Sequence, residues 1–561
     1  MRPVRSCRAV WFLGIWLALA GPWVRADATT RPAPDIAPSA ATASDPDSTL
    51  QRALDLERQH KWAAAIEAYE AALEQWPDRT EFRHRLRLCE AHYKLSRRYQ
   101  DRSFRNQLLQ LPREKALQLY EEVLERIEAN YVEPVALEPL LRRGLDNLEV
   151  ALRDPIFLQG NGVSAPAERI KWLRDAYGTQ RARVHSPRIE DAKTFVLSCC
   201  DLAQKTVGIR PAPIILEFTF GACDALDDYT SYLTPDKLDD LFATIDGNFV
   251  GLGVELKADE AGMRLVGVIP GGPAAEAGLR VGDRITHVNG LAVRGLGLDE
   301  AASRLQGPEG TTVEIEVLQA DGTSRRYKLV RRPVEIQSIA QARLVDPTEG
   351  VGYIQLSGFQ KNSTEELQRA IAALQRQGMR YLILDLRGNP GGLLNVAVEM
   401  AEKFLDSGVI VSTRGRAPGQ TSTYRAHHTA TWRMPLAILI DHDSASASEI
   451  LAGALQENRR AVVLGERSYG KGSVQSIFPL RTAPAGLKLT TARFYSPRNR
   501  AYSEQGVEPD IAVKVRVAAK PADPGATAPQ PQPTIEFGNR MRDPVLEAAL
   551  RQAKRQFSAV R

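Results

Sequence analysis

Residues 441–450 read Asp-His-Asp-Ser-Ala-Ser-Ala-Ser-Glu-Ile, with three serines alternating with alanines just ahead of an apolar helical pattern at Ile450, Leu451, Ala454 and Leu455. Small residues let a strand-to-helix turn pack tightly and present a hydroxyl. Backbone N–H groups at a helix start stabilise developing negative charge. The same stretch also reads as an ordinary helix cap, with Ser446 or Ser448 as the N-cap residue. Downstream, Lys471 lies between Gly470 and Gly472, among apolar strand runs. A lysine drawn into such a pocket loses solvation, its pKa falls, and the neutral amine can take a serine proton. A solvated lysine in a glycine turn is the plainer alternative. His442, flanked by Asp441 and Asp443, invites a Ser-His-Asp assignment. Neighbours on one extended turn do not fold back onto each other, which argues against His442 as the base. His427-His428 has no carboxylates at ligand spacing, and the chain has no HExxH or Cys/His set. We expect no metal and no cofactor.

The elements around these residues alternate strand and helix. Tyr381–Leu386 and Leu436–Ile440 are continuous apolar runs, as buried parallel strands require, and each precedes a helical pattern. Residues 249–331 differ: short β-branched runs alternate with glycine turns, leaving room for helices at Ala274–Ala277 and Leu298–Leu305. The N-terminal part is helical. Trp62, Ala65, Ile66, Tyr69, Ala72 and Leu73 fall on one face and resemble a single tetratricopeptide unit; Leu117, Tyr120, Val123, Leu124 and Ile127 continue the pattern. Residues 153–215, less regular and punctuated by Gly160, Gly162 and several prolines, read as an insertion of uncertain structure. Leu226–Pro235 carries the polar run Asp-Asp-Tyr-Thr-Ser-Tyr, followed by another helical stretch.

Gly251-Leu252-Gly253-Val254 resembles the carboxylate-binding loop of PDZ domains. Glycines there let successive N–H groups turn toward one point and cradle an anion, while a peptide adds beside the sheet. Pro270–Ile285 resembles the middle of bacterial PDZ domains. Taken with Ser444–Glu449 and Gly470-Lys471-Gly472, the chain resembles the carboxyl-terminal processing peptidases, or tail-specific proteases, over about residues 113–152 and 216–517. That resemblance implies Ser446 as nucleophile, Lys471 as general base and Gln475 as the residue orienting the lysine. It also implies an oxyanion hole from the N–H of Ala447 and one of Gly391 or Gly392, within Asp385-Leu386-Arg387-Gly388-Asn389-Pro390-Gly391-Gly392. Glu449 matches a motif acid. Arg493–Pro497 and Gly506–Asp510 match closing strands, although residues 497–500 read Pro-Arg-Asn-Arg where the family usually carries a glycine before the arginine. The fold implied is multidomain α+β: a helical N-terminal region, a PDZ-like β-rich domain and an α/β protease core of the ClpP/crotonase-like type.

The chain has 561 residues, 43% hydrophobic and 25% charged, with a net charge of +5. This is ordinary globular composition, and the charge balance gives no support to a nucleic-acid partner. Arg2, Arg5 and Arg8 precede an apolar run from Ala9 to about Trp23, and Val24-Arg25-Ala26 fits a cleavage site. We expect residues 1–26 to be a signal peptide, the mature chain to be periplasmic or otherwise exported, and no membrane span to remain. Of the remaining cysteines, Cys89, Cys199, Cys200 and Cys223, a pairing of Cys223 with Cys199 or Cys200 and buried free thiols stand equally. The expected organisation is a disordered linker at 27–48, a helical hairpin at 49–112, a helical protease region at 113–248 with its insertion at 153–215, a PDZ domain at 249–332, the protease core at 333–517, a Pro/Ala-rich linker at 518–535 and a C-terminal helix at 536–561. Expected partners are protein substrates with C-terminal tails, with room for an adaptor or activator protein. The alternative is a catalytically inactive scaffold that binds envelope proteins through its PDZ and helical modules.

Overall fold

The computed structural model describes residues 16–19, 45–181, 184, 188–259, 262–294, 298–319, 321–427, 432–514 and 543–560. The expected 518–535 linker and most of the 1–26 and 27–48 segments lie outside these residues.

The part of the chain that carries Ser446 and Lys471 is built on a six-stranded sheet. Its order is Ile339–Asp346, Val351–Leu356, Tyr381–Asp385, Leu436–Ile440, Val462–Gly465 and Ile511–Ala512. All neighbours are parallel except the first pair. Strand residues alternate in direction, so one strand feeds two cores. Leu382, Leu384, Ile438 and Ile440 pack with Leu367, Met400 and Leu451 from the helices Ser363–Arg376, Leu394–Phe404 and Ala447–Glu457. Tyr381, Ile383, Ala437 and Leu439 face the opposite way and pack with Val545, Leu546, Ala549 and Leu550 of the C-terminal helix Pro544–Val560. Burial on both faces explains why these strands are continuously apolar. A second sheet brings together Gly391–Leu393, Ser473–Pro479, Gly486–Tyr495, Gly408–Gly415 and Ser422–Ala426, with Ser231–Leu233 paired to Gly486–Lys488. Between Gly391–Leu393 and Ser473–Pro479 is a gap one strand wide. The backbone of Trp16–Leu19 fills it, antiparallel to both edges.

The β-rich region forms a separate sheet from Val254–Asp259, Gly262–Val268, Arg284–Val288, Thr312–Leu318 and Ser324–Val330, with Leu291–Ala292 at its side. Met263, Leu265, Ile285, Val313, Ile315 and Val317 form its core. The expected short helices are present at Pro273–Glu276 and Leu298–Leu305. Asn248–Gly251 and Arg332–Glu335 pair as a two-stranded stem joining it to the part that carries Ser446 and Lys471.

The N-terminal region holds helices Pro46–Arg58, Trp62–Gln75 and Thr80–Gln100, packed about Ala65, Ile66, Tyr69 and Phe82. Residues 153–215, whose structure the sequence left open, are mostly helical where described: Pro155–Gly160, Ala167–Arg181, Ile189–Val207 and the start of Pro211–Asp224. Pro155 and Pro211 sit at helix starts, where a missing N–H costs nothing, so these prolines begin helices rather than interrupt them. The four cysteines described are all buried and free. Cys199, Cys200 and Cys223 belong to the helical core, and the disulfide alternative is not formed. Of the C-terminal helix expected at 536–561, the described residues form Pro544–Val560, with its apolar face covered by the sheet.

Candidate active site

Strand Leu436–Ile440 ends at Asp441, whose Oδ1 accepts the N–H groups of Gly388, Asp443 and Ser444 at 3.0, 3.1 and 3.0 Å. This closes the turn and ties it to the glycine-rich segment. The three serines then separate by role. Ser444 Oγ donates to Leu386 O at 2.8 Å, and Ser448 Oγ donates to Asn389 O at 2.9 Å. Ser446 Oγ, fully buried, has no hydrogen-bond partner among the described residues. Ser446 stands at the N-cap of helix Ala447–Glu457 with φ 60° and ψ −112°, a conformation that costs a non-glycine residue energy. Ser446 thus occupies the N-cap position, its N–H held by the Glu449 side chain as in a capping box, while its hydroxyl has no partner among the described residues.

Glu449 joins the turn at Ser446 to the loop that carries Lys471. Its Oε2 accepts the N–H of Ser446 at 2.7 Å and the N–H of Lys471 at 3.0 Å. Its Oε1 accepts Ser468 Oγ at 2.6 Å and the N–H of Gly470 at 2.7 Å. Burial pushes this carboxyl above its ordinary pKa, and the hydrogen bonds from Ser468, Ser446, Gly470 and Lys471 pull against that. Four donors converging on two oxygens describe an ionised acceptor. Tyr469 N–H donates to Ser444 O at 3.0 Å, a second tie between the loops.

Lys471 is buried. Burial holds its amine well below the ordinary lysine range, the neighbouring charge of Lys488 adds to this, and Glu449 and Asp227 oppose it. The reading of a solvated surface lysine is excluded. Its Nζ lies 4.7 Å from the centre of the Tyr229 ring. Gln475 is buried but makes no hydrogen bond to Lys471: Nε2 donates to Ser473 Oγ at 2.9 Å and Thr490 Oγ1 at 3.3 Å, while Oε1 has no partner among the described residues.

The glycine-rich segment approaches Ser446 closely. A Cβ on Gly391 (φ +104°) would come within 2.8 Å of Ser446 Cβ and 2.9 Å of the Ala447 nitrogen, so only glycine fits. In this structure the Gly391 N–H donates to Asn389 Oδ1 at 2.9 Å, and Asn389 O accepts the N–H of Ala445 at 3.0 Å. The N–H of Ala447 belongs to the first helical turn, where no intrahelical partner exists. His442 is elsewhere: its side chain is 71% exposed, beside Asp443 and Glu466. The turn Gly251-Leu252-Gly253-Val254 opens the β-rich domain far along the chain from Ser446; Ile269 N–H donates to Gly253 O and Ala274 N–H to Leu252 O, both at 2.9 Å.

Residues that the sequence did not single out are Tyr229, Asp227 and Lys488. The polar Asp-Asp-Tyr-Thr-Ser run between apolar stretches was the available signal for the first two. For Lys488 there was none, since one lysine in a strand reads as solvated.

Residues 350–513 match the family model for peptidase family S41, and residues 258–319 match that of the PDZ domain. The carboxyl-terminal-processing protease of Synechocystis sp. is 38% identical over 294 residues, covering 51% of this chain and 68% of that protein. The carboxy-terminal-processing protease of Bartonella bacilliformis is 37% identical over 298 residues, covering 52% and 67%. Among solved structures, the photosystem II D1 C-terminal processing protease is 26% identical, covers 72% of this chain and 94% of that one, and gives a TM-score of 0.38. With about two thirds of such relatives matched at this identity, the chain belongs to the carboxyl-terminal-processing proteases of peptidase family S41, serine peptidases that here carry a PDZ domain.

Proposed function

We propose that the protein is an exported endopeptidase that takes protein tails in its PDZ domain and cleaves them by a Ser–Lys acyl-enzyme mechanism. The observation that carries this reading is the single carboxylate oxygen of Glu449 receiving the N–H groups of both Ser446 and Lys471, which sets a free, buried hydroxyl and a desolvated amine on adjoining loops. In the proposed course, Ser446 Oγ attacks the scissile carbonyl and its proton passes to Lys471 Nζ. The N–H of Ala447 and one of Gly391 or Gly392 receive the oxyanion; Gly391 serves only after leaving Asn389 Oδ1. Lys471 returns the proton to the leaving amine, and water then releases the acyl group. Gln475, whose Oε1 has no partner among the described residues, takes the part of orienting the lysine amine in this proposal. The one-strand gap flanked by Gly391–Leu393 and Gln475–Ser476 suits an extended substrate. Export is supported by the basic and apolar start of the sequence, and among the described residues no helix is long and apolar enough to cross a membrane. The intact Ser446, Lys471 and glycine-rich segment weigh against an inactive scaffold.

The test is degradation of an unstructured reporter with an apolar C-terminal tail. Wild type should cleave it, and Ser446→Ala and Lys471→Ala should each lose at least about a thousandfold in kcat. Equal cleavage by all three would overturn the assignment.

A further inference from the structure

Tyr229 lies in the turn between the buried helix Pro211–Asp224 and strand Ser231–Leu233. The turn is fixed from within: Asp227 Oδ1 accepts the N–H of Tyr229 at 3.0 Å and that of Thr230 at 2.8 Å, and Asp227 Oδ2 accepts Tyr131 Oη at 3.1 Å. Strand Ser231–Leu233 is held against Gly486–Lys488. These constraints bring the Tyr229 ring over Lys471 Nζ at 4.7 Å.

We propose that Tyr229 is a positioning residue whose ring face receives the ammonium formed when Lys471 takes the Ser446 proton. The inference rests on Lys471 as the base. An aromatic face attracts an ammonium and does little for a neutral amine, so the contact strengthens as the proton arrives and stabilises the transition state more than the resting enzyme. Desolvation favours the neutral lysine needed to start the reaction, and the same desolvation opposes the ammonium needed to complete proton transfer. The ring offsets that second effect without supplying a carboxylate that would keep the amine charged at rest. Among the described residues, the other charged and titratable groups acting on the amine are Glu449 on the nucleophile helix, Asp227 in the Tyr229 turn and Lys488 on the neighbouring strand, and the charge of Tyr469 acts on the Tyr229 hydroxyl.

The experiment compares the full chain with Tyr229→Phe, Tyr229→Leu and a series carrying progressively fluorinated phenylalanine at 229, using a long-tailed unstructured reporter. Loss of the ring makes the ammonium less favourable, so the acid limb of the kcat/KM profile should move to lower pH by about one unit, while kcat falls about tenfold or more and KM holds. Tyr229→Phe should keep the limb and most of kcat. Fluorination, which drains the ring face with little change of shape, should move the limb stepwise even if Tyr229→Leu fails to fold. An unmoved limb across the fluorinated series, with Lys471→Ala inactive, would overturn this inference and leave the base assignment standing. An active Lys471→Ala would overturn both.

Discussion

At the scale of single residues, the site separates groups by what they are bonded to. Ser444 and Ser448 spend their hydroxyls on the backbone of the glycine-rich segment, while Ser446 does not. Lys471 is held in a place that suits catalysis and opposes folding. The unfolded lysine binds a proton below its ordinary pKa, and the folded one resists doing so because burial disfavours the charge. The sign follows. A lysine pKa lowered by folding makes the native state less stable wherever the unfolded chain is protonated and the native chain is not. The deficit begins near the unfolded value of about 10.4 and grows by about 1.4 kcal/mol for each pH unit below it, until the folded lysine is itself protonated. Lys471→Met should therefore abolish activity and raise stability, with a gain that is larger at pH 8 than at pH 10. Denaturant melts at the two pH values check this, and a gain independent of pH would show that the folded lysine is not neutral.

Between elements, the C-terminal helix is tied to the glycine-rich segment by one buried fork. Arg387 Nη1 and Nη2 donate to Asp543 Oδ1 and Oδ2 at 2.9 and 2.6 Å, and Nε and Nη2 donate to Asp385 Oδ1 and Oδ2 at 2.9 and 2.5 Å. Tyr353 Oη completes the cluster on Asp385 at 2.7 Å. The Asp543 carboxylate also accepts the N–H of Val545 and Leu546, at 3.1 and 3.0 Å, and so caps the helix it precedes. Asp543→Ala removes one partner of a buried ion pair and a helix cap together. It should cost about 3–5 kcal/mol in denaturant melts and reduce kcat more than KM, since Arg387 leads directly into the segment at Gly391. Wild-type stability in Asp543→Ala would mean that the helix is held by its apolar face alone.

For the whole molecule, the PDZ domain joins the protease part of the chain through the paired stem Asn248–Gly251 and Arg332–Glu335, the first strand of which ends at the Gly251-Leu252-Gly253-Val254 turn. Arg332 in that stem bonds Gly271 O at 2.8 Å and pairs with Glu276, so stem and loop region are linked. If backbone N–H groups after Gly251 hold a tail carboxylate, amidating the reporter's C-terminus should lower kcat/KM about tenfold or more, through loss of a charge-assisted contact. Equal cleavage of free-acid and amidated tails would remove the carboxylate cradle from the account and leave only strand addition.

The sequence by itself determined the parts whose information is local. The strand runs Tyr381–Leu386 and Leu436–Ile440, the small-residue turn ahead of Ile450, and the glycine turns of residues 249–331 each express a period or a turn requirement within a few residues. The tertiary structure decided what depends on chain segments far apart. It left one serine of three unpartnered, set Gln475 on Ser473 and Thr490 rather than on the lysine, brought Tyr229 over Lys471, and joined Arg387 to Asp543. It also turned the 153–215 segment into helices, because prolines at helix starts and breaks look alike until the packing of Leu173, Tyr177 and Val196 is known. A hydrogen bond or a desolvated amine is a property of the surroundings, and those surroundings exist only once the sheets have closed around them.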